Sequence, residues 1–366
     1  MIESNIKKAH DVGRKYAGIS ESAVDSTPDR CANDSCEDGG HLDPLAYRHT
    51  IMNLVSGNIS DTCKAGDESV KKASKLINSW ILMTIMPKDF STAIKHIEDS
   101  LNSRYPYFEE ITSHVGDQLS VCARGRNPIK IDPILIVGSP GLGKTSYVED
   151  LARLINLDCH NLDMGSTAAN FIITGSHPSW ASAKPGLISS SIIDSKYGNH
   201  IFILDELDKM QFVEGHSPEG GLLSLLESKT SKRFKDEYFV GLEFNTSYMS
   251  YISLANSINK ISEPLLSRLK VFNARPPSEE ESILVISHMF SDICVSNNIA
   301  HLFEEYDIRE DREVLKMLLG LPSFREMKSH LISAVGKSIK NSPYSDKIIL
   351  KKEYFAEQSS RGFGFL

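Results

Sequence analysis

The chain has 366 residues, enough for two or three compact units. A net charge of -8 argues against a protein that grips nucleic acid along its whole length, while leaving open a local basic groove or a basic pore. Hydrophobic residues at 40% and charged residues at 24% mark an ordinary soluble composition, and six cysteines do not make a disulfide framework.

Residues 1 to about 20 read as a short helix, with Ile2, Ile6, Ala9, Val12 and Tyr16 at helical spacing. The polar start, Met1 to His10, carries two lysines and is not followed by the apolar core of a signal peptide. Residues 21–43 are acidic and rich in Ser, Asp, Gly and Pro, which predicts a flexible linker. Cys31, Cys36 and His41 lie within it, but a metal site wants about four ligands at recognised spacings, so a solvated linker is the better reading. Apolar residues return at helical spacing in two stretches, Leu45 to Val55 and Val70 to Trp80. Residues 1–90 are therefore expected to form a small helical N-terminal unit. The run Trp80 to Met86 is far shorter than the roughly 20 residues that cross a bilayer. No membrane partner and a cytoplasmic location are expected.

Two helical stretches follow Pro87 and lead to Pro133. Three apolar runs then stand out, Ile134 to Val137, Ile201 to Leu204 and Tyr251 to Ala255, separated by helical stretches. Continuous apolar runs of this length are what strands buried on both faces look like, and their alternation with helices predicts a parallel sheet flanked by helices. The fold class is α/β. Ligands bind such sheets beyond the carboxyl ends of the strands.

The first run enters Gly138, Ser139, Pro140, Gly141, Leu142, Gly143, Lys144 and Thr145, followed by Ser146. This is the G-x-x-x-x-G-K-[ST] pattern between a strand and a helix. Glycines let the backbone curl so that its N–H groups face phosphate oxygens, and the helix brings its positive end to the same place. Lys144 is expected to reach the β- and γ-phosphates of ATP, and the Thr145 hydroxyl to hold Mg2+. The second run ends in Asp205 and Glu206. Carboxylates are costly at the end of a buried strand unless they have work to do. Asp205 is expected to hold Mg2+ through its water shell, and Glu206 to orient or activate the attacking water.

Further tracts carry a resemblance. They are Ile203 to Met210, Gly221 to Glu227, Phe234 to Tyr238, Ala255 to Ser257 and Glu263 to Arg268. In order and spacing the region from about 100 to 335 resembles the ATPase module of the Lon family, within the AAA+ superfamily. The resemblance implies a large ATPase subdomain over 91–276, a small α-helical lid over 277–340 and a C-terminal tail over 341–366. It implies that Asn256 is a sensor of the γ-phosphate or attacking water. It also implies that Arg268 is an arginine finger completing a neighbouring subunit's site, and that Arg325 is the sensor arginine of the lid. An arginine acting in trans requires a homo-oligomer, in this family a hexameric ring. The tract Gly175 to Gly186 is similar to the family's pore loop, with Trp180 at the aromatic position and Ala181 where a larger aliphatic residue is usual. Lon proteases carry a C-terminal peptidase domain for which residues 341–366 leave no room, so a stand-alone bacterial relative with only the motor is expected.

Three functions remain open on the sequence. The leading one is an ATP-driven remodeller that pulls a protein client through the ring. The second is a motor or clamp on nucleic acid, with Lys184 and the cluster Lys229, Lys232, Arg233 and Lys235 as its basic residues. The third is a nucleotide-gated switch that docks an effector through the N-terminal unit. Tyr105, Tyr107 and Phe108 stand where an adenine pocket often lies, with a packing role equally open.

Overall fold

The computed structural model describes residues 47–60, 62–63, 67–166, 169–210, 218–343 and 347–355. Two compact units divide the chain, residues 1–42 and 43–366, and the described residues all belong to the second. The expected helix over 1–20, the acidic linker over 21–43 and Cys31, Cys36 and His41 lie outside the described residues.

Where the described residues cover the helix expected over Leu45 to Val55, from 47 onwards, they hold two strands instead. Strand β1 (Arg48–Met52) pairs antiparallel with β3 (Ile81–Ile85), and β2 (Val55–Gly57) pairs antiparallel with β7 (Leu242–Phe244). Thr50, Ile51 and Val55 are β-branched and favour extended backbone. Leu54 and Val55 are buried in the same core as the main sheet, so this segment adds strands to the larger body. The second stretch does hold a helix, α1 (Glu68–Leu76), capped by Asp67, whose Oδ1 accepts from the Ser69 N–H at 2.8 Å. It ends before Trp80. Helices α2 (Phe90–Arg104) and α3 (Glu109–Gly125) then lead to the main sheet.

In chain order the next elements are β4 (Ile134–Val137), α4 (Lys144–Leu154), β5 (Asp158–Asp163), α5 (Ala169–Thr174), α6 (Leu187–Asp194), β6 (His200–Asp205) and α7 (Glu219–Leu226). After β7 come β8 (Ser250–Ala255), α8 (Glu263–Leu266) and β9 (Lys270–Asn273). The main sheet has five parallel strands in the order β5-β6-β8-β4-β9. Its three central strands are the three apolar runs. Alternate residues face opposite sides: Ile134 and Ile136 join one core with α2, α3 and α4, and Leu135 joins the other with α6 and α7. Ile201 and Ile203 divide from Phe202 and Leu204 in the same way. Each fully buried aliphatic side chain of this kind contributes about 1.5–3 kcal/mol.

After the sheet come α9 (Glu279–Ser296), α10 (Arg312–Leu319) and α11 (Phe324–Asn341). A capping box of Ser278 and Glu281 starts α9, and two hydrogen bonds of 2.6 Å from Arg275 hold the Glu281 carboxyl down near pKa 2. The described part of the expected tail is not a free end. Ile348, Leu350 and Phe355 are buried among these helices, and the Ile348 N–H donates to Leu302 O at 2.8 Å.

Candidate active site

The parallel register sets the site. Val137 pairs with Ala255, and the Gly138 N–H donates to Ala255 O at 3.1 Å, so the end of β4 lies beside the end of β8. The chain then turns through Gly141 and Gly143 at φ of +79° and +80°, a region that L side chains rarely adopt. A Cβ on Gly141 would also stand 2.6 Å from Ser323 Cβ. Ser323 caps α11, so the loop and the last helix close on each other only because residue 141 is glycine. The Tyr107 hydroxyl donates to Leu142 O at 2.8 Å and fixes the far side of the turn. Ser139, Pro140 and Ser146 stay exposed on the outer surface of the loop and first helical turn.

Lys144 opens α4 and is buried. Its ammonium donates to Gly138 O at 2.6 Å, Ser139 O at 3.1 Å and Asn256 Oδ1 at 3.1 Å. Burial lowers its pKa, opposed by the carboxylates of Asp205 and Asp208. One residue on, the Thr145 hydroxyl donates to Asp205 Oδ2 at 3.3 Å. Four residues from three segments, Lys144, Thr145, Asp205 and Asn256, therefore meet at the carboxyl ends of three adjacent strands. Thr145 and Asp205 offer a hard cation a hydroxyl and a carboxylate oxygen. Mg2+ typically takes one or two protein oxygens and completes its shell with phosphate and water, so this donor pair fits it. Among the described residues no group of three or more His, Cys, Asp or Glu forms an all-protein metal cluster.

Glu206 follows in left-handed backbone at φ +55°, a costly conformation for a non-glycine residue. Its N–H donates to Asp205 Oδ1 at 2.8 Å, and its carboxylate pairs with Lys209 Nζ at 2.5 Å. Gly165 makes room for it, since a Cβ there would lie 3.3 Å from Glu206 Oε2.

Arg268 is not part of this cluster. It precedes β9, whose first residue, Lys270, pairs with the first residue of β4, Ile134. It therefore lies at the amino ends of the strands, beside Pro133 and Tyr251, with the Lys144 group at the opposite ends. Its Nη1 donates to Pro264 O at 2.8 Å, and its Nε lies 3.3 Å from Glu227 Oε2. Arg325 is exposed in the first turn of α11, two residues from the Ser323 that packs on Gly141. Tyr105, Tyr107 and Phe108 are buried, and Tyr107 stacks on Phe324 at 6.0 Å, so these rings pack the joint between P-loop and α11.

Trp180 is 50% exposed and touches one ring, Phe171, edge-on at 5.5 Å. Ala181 beside it is exposed. The loop is closed at its base by Ser176 N–H to Lys184 O at 3.0 Å and Lys184 N–H to Ser176 Oγ at 2.9 Å. Of the basic cluster, Arg233 is bound to Glu243 by two hydrogen bonds of 2.8 and 2.9 Å, and Lys235 lies 3.8 Å from the same carboxylate.

Two carboxylates escaped the sequence reading. Asp208 is buried, and its Oδ1 accepts the Asn256 N–H at 3.2 Å, tying the turn after β6 to the end of β8. Its signal was a third acidic residue two positions after Glu206. Asp236 is buried, and its Oδ2 accepts the Gly186 N–H at the base of the Trp180 loop. Its only signal was an acidic residue inside a tract already noted for its order and spacing.

Residues 134–276 match the family model described as "ATPase family associated with various cellular activities (AAA)". The chain carries an AAA ATPase domain. Curated proteins similar to it include Lon proteases. That of Clostridioides difficile (strain 630) is 24% identical over 266 residues, 71% of this chain and 33% of the relative. That of Halothermothrix orenii is 29% identical over 212 residues, 58% of this chain and 26% of the relative. The chain thus matches about a third or less of these relatives' length, in the region of a Lon-like AAA module. The solved structure titled "S. cerevisiae Hsp104:casein complex, Extended Conformation" shares the fold, with a TM-score of 0.54 at 13% identity, covering 69% of this chain and 48% of that one. No helix among the described residues is long and apolar enough to cross a membrane.

Proposed function

We propose that this chain hydrolyses ATP to ADP and phosphate and uses the cycle to remodel a protein client from an assembled homo-oligomeric ring. The observation that carries the chemistry is the meeting of Lys144, Thr145, Asp205 and Asn256 at the strand ends. The P-loop N–H groups and the Lys144 ammonium hold the β- and γ-phosphates. Thr145 and Asp205 would hold Mg2+, which would supply positive charge against the phosphate oxygens. Glu206 orients the attacking water and takes its proton, and Asn256 holds that water or the γ-phosphate in line. Asp208 keeps Asn256 in register with the turn that carries Glu206.

Arg268 acts in trans. Its place at the far end of the sheet supports this, because a neighbouring copy meets the nucleotide from outside the chain that binds it. Arg325, next to the P-loop contact of α11, senses the nucleotide from the lid. A ring of six copies is the arrangement in which each Arg268 completes the next site. The cytoplasm supplies ATP and magnesium to such a motor.

A polypeptide is the favoured client because Trp180 stands half exposed on a loop, with a grip less bulky than an aromatic followed by a large aliphatic residue. Glu243 neutralises part of the basic cluster, which weakens the nucleic-acid reading. The test is the steady-state ATPase rate with unfolded polypeptide or with single- or double-stranded DNA. Stimulation by polypeptide that disappears in Trp180→Ala is expected. Stimulation by DNA alone, falling steeply with salt, would replace the polypeptide with nucleic acid.

A further inference from the structure

Asp236 is 2% exposed and takes no part in the hydrogen bonds that join Lys144 to Asn256 and Thr145 to Asp205. Its Oδ2 accepts from the Gly186 N–H at 2.8 Å and from the Ser189 hydroxyl, and its Oδ1 accepts from the Tyr238 N–H at 2.8 Å. Burying a carboxylate is costly even when it is hydrogen-bonded, and here burial pushes the carboxyl up to about 6.

The partners identify what the carboxylate holds. Gly175 and Gly186 are the two ends of the Trp180 loop. A Cβ on Gly175 would lie 2.3 Å from Asp236 Oδ1 and 2.9 Å from Gly186 N. A Cβ on Gly186 would lie 2.8 Å from Asp236 Oδ2 and 2.4 Å from Ile173 O. Gly175 also has φ of +71°. Both ends of the loop thus close on one carboxylate, and only glycine permits it at either end. The next residue adds a strap, since the Glu237 N–H donates to Thr174 O at 2.7 Å.

The other side of the Asp236 tract runs back to Arg268. Phe234 and Phe244 exchange backbone hydrogen bonds of 3.0 and 2.8 Å, and the Thr246 N–H donates to Ser231 O at 2.8 Å. The Ser231 N–H in turn donates to the carbonyl of Glu227, whose carboxylate faces Arg268.

We propose that Asp236 is a positioning residue: it clamps both ends of the 175–186 loop to the 227–246 tract, so that Trp180 moves with the segment that meets Arg268. This rests on the reading of that loop as the one that meets the client. Asp236 touches neither nucleotide nor client; it sets where Trp180 stands.

The experiment uses the full chain with Trp80→Phe, which leaves Trp180 the sole tryptophan of the two. Trp80 is 64% exposed, so its replacement costs little packing. Asp236→Asn puts an amide donor against the Gly186 and Ser189 donors, and Ser189→Ala removes one hydrogen bond while keeping the carboxylate. Acrylamide quenching of Trp180 is expected to rise in Asp236→Asn towards the ceiling of about twofold left by a ring already half exposed. A smaller rise is expected in Ser189→Ala. KM for ATP and the unstimulated kcat are expected to stay unchanged in both. Stimulation by unfolded polypeptide is expected to fall about fivefold or more in Asp236→Asn, the scale of one or more buried hydrogen bonds lost. Unchanged quenching in both variants would overturn the proposal. So would parallel loss of quenching protection and unstimulated ATPase in Asp236→Asn with no effect in Ser189→Ala, because that is general unfolding. If quenching rises as expected while Trp180→Ala keeps its polypeptide stimulation, the client reading fails and the positioning role stands.

Discussion

The nucleotide end of the sheet and the Trp180 loop are held in opposite ways. At the nucleotide end, position follows from the sheet itself. Residues 138–145 and Asn256 directly follow β4 and β8, Asp205 ends β6, and parallel register brings those ends side by side. The loop instead connects two helices, α5 and α6. Its two ends converge on one buried carboxylate fifty residues beyond Gly186. A site made from strand ends is rigid because the core is rigid. A loop made from one clamp can move as a unit with whatever carries the clamp.

The largest expected effect would show that the nucleotide end is incomplete within one chain. Arg268→Ala should bind ATP normally and lower kcat by about 10³-fold, the lower end of what an arginine finger supplies. Mixing it with Lys144→Ala should restore some turnover, because each copy supplies what the other lacks. A normal rate in Arg268→Ala alone would place the finger elsewhere. Next, Glu206→Gln should retain nucleotide and slow hydrolysis by about 10²- to 10³-fold, as loss of a general base does. Single-turnover rates beside equilibrium binding would separate the two.

The loop's clamp should show in pH dependence. Folding favours the protonated form of Asp236, because its carboxyl is raised from 3.8 to about 6. That contribution is whole below pH 3.8 and lost as pH rises through about 6. Wild-type stability relative to Asp236→Asn should therefore fall by an amount on the order of 2–3 kcal/mol between pH 4 and pH 7. Denaturant midpoints across that range would measure it, and a flat difference would mean that Asp236 does not titrate there. Gly175→Ala should loosen the clamp with no effect on the chemistry, since its Cβ would lie 2.3 Å from Asp236 Oδ1. The positive φ alone should cost about 1–2 kcal/mol of stability. Nucleotide affinity should be untouched, and a matching loss of affinity would erase the distinction between the two regions.

Legibility in the sequence followed burial. The central strands β6, β8 and β4 are buried on both faces, and they are the three runs that read as strands. The edge strands β5 and β9 were missed. Asp158–Asp163 has one fully buried residue, Leu162, and Lys270–Asn273 has one, Phe272, so neither carries a continuous apolar signal. Residues 45–55 misled for a related reason. Leu45, Ile51, Leu54 and Val55 fit a helical spacing, but the partners that hold β1 and β2 extended, β3 and β7, lie some 30 and 190 residues along the chain.

By itself the sequence determined the local chemistry: a contiguous phosphate loop, an acidic pair closing an apolar strand, and a polar residue closing another. Such features need only neighbours in the chain and one rule about strand ends. Tertiary structure alone decided which ends meet, that Arg268 lies at the strand ends opposite the Lys144 group, and that both ends of the Trp180 loop close on Asp236. Those facts depend on hydrogen bonds and packing between segments tens of residues apart, and neither spacing nor periodicity carries that information.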